Sequence, residues 1–192
     1  MILYLHGFKS SPRSFKAQVL ERVVAEHQLA SRWCCPQLPA SPAAAIALCN
    51  ELIQAAQLND PSTELVIIGS SLGGYYAHVL AEQWQCKAVV LNPAVHAARD
   101  LATQVGSHTM YHSDQPFEFL PEYVDELHAM APSSCTQPQR YFLIASRDDE
   151  VLNSHEMVAF YEGSQGLLIF GSDHGMADFE LYLAPVLHFI NA

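Results

Sequence analysis

An apolar, β-branched run at residues 65–68 that ends in Gly69-Ser70-Ser71-Leu72-Gly73 and reads on as a helix constrains this chain more than any other feature. A buried strand that turns sharply into a helix leaves its apex residue strained, with the side chain thrust out over the carboxyl edge of the sheet. Ser71 sits at that apex. Gly69 and Gly73, two before and two after, answer to the same geometry, because a Cβ at either would collide where strand and helix approach. Residues 72–83 have helical character, so strand, turn and helix follow in the required order. A glycine- and serine-rich turn without chemistry fits these residues too, and the rest of the chain must decide. A phosphate-binding loop does not fit, since Tyr75 stands where the lysine would be needed.

The 192 residues suit one domain, 1–192, with a substantial core. A content of 50% hydrophobic and 15% charged residues matches an α/β fold whose central strands are buried on both faces. The net charge of −11, from 20 acidic and 9 basic side chains, argues against a nucleic-acid or anionic-membrane surface as the main partner. No apolar run has the length for membrane insertion. Met1 leads straight into Ile2-Leu3-Tyr4-Leu5 without a basic leader, so a cytoplasmic location is expected. The five cysteines (34, 35, 49, 86 and 135) lack Cys-x-x-Cys spacing and read as buried free thiols.

Further strands are expected at 1–5, 32–38, 87–92, 140–146 and 166–170, and helices at 14–26, 44–58, 121–130, 154–161 and 176–190. Ser11 or Ser14 is expected to cap the first helix. Strands alternating with helices in this way indicate a parallel, doubly wound sheet. Residues 95–139 break the rhythm, mixing histidines, aromatics and prolines; they read as a lid-like insertion or as an ordinary packed excursion. His108 and His112 have a spacing that on a helix would suggest a metal pair. Gly106, Ser107 and Thr109 argue against a helix there and no third ligand is indicated, so no metal is expected.

The ends of the predicted strands carry the chemistry. The first delivers His6-Gly7-Phe8 into a loop whose backbone N–H groups are free to face a ligand. The N–H groups of Phe8 and Leu72 are the expected oxyanion donors, and His6 is expected to brace the loop. A serine hydroxyl needs an imidazole to take its proton and a carboxylate to orient that imidazole. In chain order on such a sheet the nucleophile comes first, the acid next and the histidine last. Ser71, an aspartate in Arg147-Asp148-Asp149-Glu150, and His174 after the strand at 166–170 satisfy that order, all at carboxyl ends where open parallel sheets bind ligands.

Together, Gly69-Ser70-Ser71-Leu72-Gly73-Gly74, the opening Tyr4-Leu5-His6-Gly7-Phe8-Lys9-Ser10-Ser11-Pro12, Asp149-Glu150-Val151-Leu152 and Gly171-Ser172-Asp173-His174 resemble the α/β-hydrolase superfamily. More narrowly they resemble its small bacterial YqiA-like esterases, along essentially the whole chain. The resemblance implies a compact α/β-hydrolase fold of six mostly parallel strands in spatial order 2-1-3-4-5-6, flanked by helices. It also implies an esterase or thioesterase that acts on small-molecule acyl esters without a cofactor. Carried over, Ser71 is the nucleophile, His174 the general base and acid, Asp149 the orienting acid, and Phe8 and Leu72 the oxyanion donors. The chain departs from the superfamily pattern with Arg147-Asp148 before the acid and Asn153 in a proline's place. Asp148 therefore remains an alternative acid, and Asp173, beside His174, a third. Acyl transfer through the same triad, or a non-catalytic small-molecule binder with the same fold, are the competing readings.

Overall fold

The computed structural model describes residues 1–111 and 113–191. The chain runs β1 (Ile2–Leu5), α1 (Phe15–Glu26), β2 (Trp33–Cys34), α2 (Pro42–Asn59), β3 (Val66–Ser70), α3 (Leu72–Trp84) and β4 (Lys87–Leu91). It continues through α4 (Ala97–Leu101), β5 (Gly106–Thr109), β6 (Pro116–Phe119), α5 (Pro121–Ala129), β7 (Tyr141–Ser146), α6 (Ser154–Phe160), β8 (Gln165–Ile169) and α7 (Leu183–Asn191). Six strands form a parallel sheet in the order β2-β1-β3-β4-β7-β8, the order that the resemblance implied.

The sheet is parallel because its strands are apolar on both sides and must be covered twice. Every residue of β1 and β3 is buried. On one face α1 and α7 bring Leu20 and Phe189 against Ile68 and Leu91; on the other, α2 and α3 bring Ile53 and Leu80 against Ile67 and Val90.

Most elements fall within a residue or two of their expected ends, and three differ around a proline. β2 pairs only through Trp33 and Cys34, because Pro36 has no N–H to give a ladder. α2 starts at Pro42, which suits a first helical turn, with Ser41 Oγ accepting the Ala44 N–H at 3.1 Å. The closing helix begins only at Leu183, after a short 3-10 turn over Phe179–Tyr182, since Pro185 is tolerated in a first turn but not inside a helix. At α1, Ser14 takes the N-cap position but its side chain makes no capping bond; Ser11 Oγ instead accepts the Arg13 N–H.

Within 95–139 the chain makes α4, the antiparallel hairpin β5–β6 and α5. The hairpin's Phe117 and Phe119 meet the Phe8 ring edge-on, each with centroids 5.2 Å away. His108 lies on a strand, with Nε2 2.6 Å from the Gln104 carbonyl. His112 lies outside the described residues. Among those described, no cluster of three or more His, Cys, Asp or Glu is arranged to hold a metal, and no helix is long and apolar enough to cross a membrane. All five cysteines are unpaired, and burial pushes the Cys49 thiol up to about 12.

His78, on α3, is 1% exposed and stacks on Tyr141 with centroids 4.9 Å apart. Burial drives its pKa down to about 4, against the pull of Glu82. The unfolded chain takes up that proton near pH 6.5, so the stability contributed by a neutral His78 is complete above that pH and is lost as pH falls towards about 4. Urea unfolding is expected to show wild type losing about 2 kcal/mol between pH 7 and pH 5 that His78→Gln does not lose. Equal losses in both proteins would exclude His78 as the source.

Candidate active site

Ser71, between β3 and α3, has φ 57° and ψ −121°, a conformation that an L-residue adopts only when its surroundings force it. The surroundings are backbone. A Cβ on Gly69 would stand 2.0 Å from the Gly73 oxygen, and one on Gly73 would stand 2.0 Å from the Leu5 oxygen. α3 thus presses on β1 and β3 as closely as atoms allow. Ser71 N–H donates to the Leu91 carbonyl at 3.0 Å, and the Ser71 carbonyl accepts from Gly74 and Ala94. A Cβ on Gly7 would meet the Ser71 Cβ at 3.2 Å, so the loop after β1 abuts the serine directly.

His174 reaches this apex from the loop after β8. Its Nε2 is 3.0 Å from Ser71 Oγ and its Nδ1 is 2.7 Å from Asp149 Oδ2. The Asp149 side chain is wholly buried, whereas that of His174 is 19% exposed. Asp149 Oδ1 accepts the N–H groups of Val151 and Leu152, both at 2.8 Å, leaving Oδ2 for the imidazole. With Nδ1–H donating to that oxygen, Nε2 is free to accept from the serine hydroxyl. Asp148 faces elsewhere, its Oδ2 accepting the Gly171 N–H at 2.6 Å. Asp173 Oδ1 accepts weakly from the Ala177 N–H at 3.4 Å. Of the three aspartates, Asp149 is the one hydrogen-bonded to the imidazole.

Four other residues hold the His174 loop. Asn92, buried with φ 41° just past β4, donates Nδ2–H to the carbonyls of Asp173 (3.3 Å) and His174 (3.1 Å). Its Oδ1 accepts the buried Ser146 N–H at 2.7 Å. The Ser146 hydroxyl donates to the Ser172 carbonyl, Lys16 Nζ to that of Gly175, and the His174 N–H to Glu150 Oε2. The sequence singled out none of these tethers. Asn92 did leave a trace, because a polar residue between a buried strand and Pro93 suits the left-handed conformation found there.

The N–H groups of Phe8 and Leu72 donate to no protein acceptor among the described residues, the second as an unpaired donor of the first turn of α3. Both residues line a cleft of about 700 Å³ that also contains Ser71 and His174, with Leu101, Tyr111, Val151 and Leu152 among its apolar walls. His6 is buried beneath. Its Nε2 accepts the Leu38 N–H at 3.1 Å, which leaves Nδ1–H for the Gly7 carbonyl, also at 3.1 Å, so it braces the loop.

A six-stranded parallel sheet in this order, covered by helices on both faces and turning sharply at Ser71, is an α/β-hydrolase fold. The chain belongs to UPF0227, described as an uncharacterised protein family, whose model matches residues 1–191. It is similar to Est1E from Butyrivibrio proteoclasticus with ferulic acid bound, at 13% identity and a TM-score of 0.73 over 98% of this chain and 87% of that one. It is similar to the metagenome-derived lipolytic enzymes LipS and LipT at 20% identity, TM-score 0.65, over 99% and 92%. Similarity to the Pyrococcus furiosus esterase PF2001 reaches 16% identity, TM-score 0.67, over 99% and 80%. At such identities the likeness is one of fold.

Asn92→Ala removes three hydrogen bonds at once and leaves the Ser146 N–H buried without a partner. Urea unfolding is expected to show a loss of about 1–3 kcal/mol. Amide exchange should quicken at residues 171–175 before it does in β1 or β3, and uniform quickening would show that Asn92 does not hold this loop in particular.

Proposed function

We propose that this protein is a serine hydrolase that cleaves carboxylic or thio esters through Ser71, His174 and Asp149. The observation that carries the reading is the run of two hydrogen bonds, 3.0 Å from Ser71 Oγ to His174 Nε2 and 2.7 Å from Nδ1 to Asp149, beside two unpaired backbone donors. The serine oxygen attacks the ester carbonyl while His174 takes its proton. The oxyanion that forms is stabilised by the N–H groups of Phe8 and Leu72. As the tetrahedral species collapses, His174 returns the proton to the departing alcohol or thiol and an acyl-enzyme remains. Water, deprotonated by His174, then attacks the acyl-serine and a second collapse frees the acid. Asp149 holds the imidazole in its reactive tautomer and stabilises the imidazolium that forms twice per turnover. The triad supplies its own base, acid and nucleophile, so the reading calls on no cofactor.

The apolar walls around Phe8, Leu101, Val151 and Leu152 suit an apolar acyl group. In this reading the chain is a single domain, and residues 95–139 form a cap whose hairpin rests on the oxyanion loop through Phe117 and Phe119. Five unpaired cysteines suit a reducing compartment such as the cytoplasm.

A fluorophosphonate probe is expected to label wild type and not Ser71→Ala, whose kcat on p-nitrophenyl butyrate should fall by about 10⁶. A wild-type protein that resists the probe would favour a binding protein over an enzyme. Asp149→Asn should lower kcat by about 10⁴ and Asp148→Asn by less than about tenfold. The reverse ranking would remove Asp149 from its role.

A further inference from the structure

Lys16 is the unusual side chain of the cleft. It lies on α1 beside a face made by Leu20, Val23 and Val24, and only 9% of it is exposed. An ammonium has three N–H donors. One goes to the Gly175 carbonyl; the other two find no protein acceptor, and no carboxylate pairs with it, among the described residues. Burial lowers its pKa to about 8, with Asp173 and Asp149 opposing that fall, so at neutral pH it is a cation. A buried charge with unmade hydrogen bonds is costly unless something else completes them. Two residues earlier, Ser14 Oγ is also buried, and it faces the Tyr4 phenol without closing a well-formed hydrogen bond to it. The Tyr4 phenol lines the same cleft, near enough to the Ser14 and Ser70 hydroxyls to be influenced by them.

We propose that Tyr4, Ser14 and Lys16 form a hydrogen-bonding subsite for the alcohol half of the ester, selecting alcohols that carry a further hydroxyl, as esters of polyols do. The assignment rests on the hydrolytic reading above. It takes the leaving-group side because Lys16 is anchored to the residue after His174, the imidazole that hands a proton to the leaving oxygen. It takes a neutral oxygen because the carboxylates of Asp149 and Asp173 act on the same site and, with a chain of net charge −11, oppose an incoming anion.

The test compares kcat/KM for 2-hydroxyethyl butyrate and n-propyl butyrate, in which a hydroxyl replaces a methyl of similar size. Wild type should prefer the hydroxylated ester by about tenfold or more, and Lys16→Met should shrink that preference to about threefold or less, as expected for a charge-assisted hydrogen bond. Equal losses on both esters would reduce Lys16 to a clamp on Gly175, and a wild type without the preference would also overturn the proposal. So would a stronger preference for carboxymethyl butyrate, which would make the subsite one for carboxylates. Ser14→Ala, a smaller change, should weaken the preference about threefold and serves if Lys16→Met does not fold. Ligand-observed NMR on Ser71→Ala, comparing N-(2-hydroxyethyl)butanamide with N-propylbutanamide, reads the same preference without turnover. Tighter binding of the hydroxylated amide supports the subsite even if no ester is cleaved, and equal binding refutes it.

Discussion

The contact between backbone atoms at Gly69, Gly73 and Leu5 governs the geometry around it. Because a methyl group at either glycine would lie 2.0 Å from a carbonyl oxygen, α3 can reach its depth against β1 and β3 only with hydrogen at both positions. At that depth the chain must reverse within one residue, and Ser71 takes the positive φ that the reversal requires. Such strain costs on the order of 1–3 kcal/mol. It is offset locally by the bonds from Ser71 N–H to Leu91 and to the Ser71 carbonyl from Gly74 and Ala94. One packing constraint therefore raises the hydroxyl above the sheet edge and also starts α3 at Leu72, a residue of the cleft lining whose N–H has no acceptor among the described residues.

The partner of that hydroxyl is held differently. His174 stands in a loop that begins at Gly171, with φ 76°, and has no regular structure of its own. Its position comes from bonds made by Lys16 of α1, Asn92 after β4, Ser146 of β7 and Glu150 after β7, residues 24 to 159 positions away. Loops gain precision when rigid elements bind their backbone. Asn92 is central because its oxygen fixes the end of β7 while its nitrogen fixes the loop, so one side chain ties two strand ends to the backbone that carries the imidazole.

Much of this was legible in the chain itself, and the reason is local. The parallel sheet follows from buried β-branched runs alternating with helices, its strand order came from the α/β-hydrolase resemblance, and the elbow follows from two glycines at fixed offsets. The prolines at 36, 42 and 185 shifted element ends in ways their missing N–H explains, though periodicity alone had smoothed over them. The hairpin β5–β6 escaped because its stability is not local: Phe117 and Phe119 gain from packing on Phe8, more than a hundred residues earlier. Lys16 escaped as well, because its meaning depended on a carbonyl 159 positions away.

The run Asp148-Asp149-Glu150 shows where sequence reasoning stops. Three adjacent carboxylates look interchangeable on paper, yet each meets a different group: the Gly171 N–H, the His174 imidazole and the His174 N–H. A carboxylate that orients an imidazole must have one oxygen fixed and the other free. The turn after β7 meets that condition only at Asp149, by folding the N–H groups of Val151 and Leu152 back onto Oδ1. Asp148, one residue nearer the strand, points across to the neighbouring strand end, where it fixes the start of the histidine loop. The identity of the orienting carboxylate is therefore a property of the turn. Its two neighbours serve the same imidazole by holding the backbone that carries it.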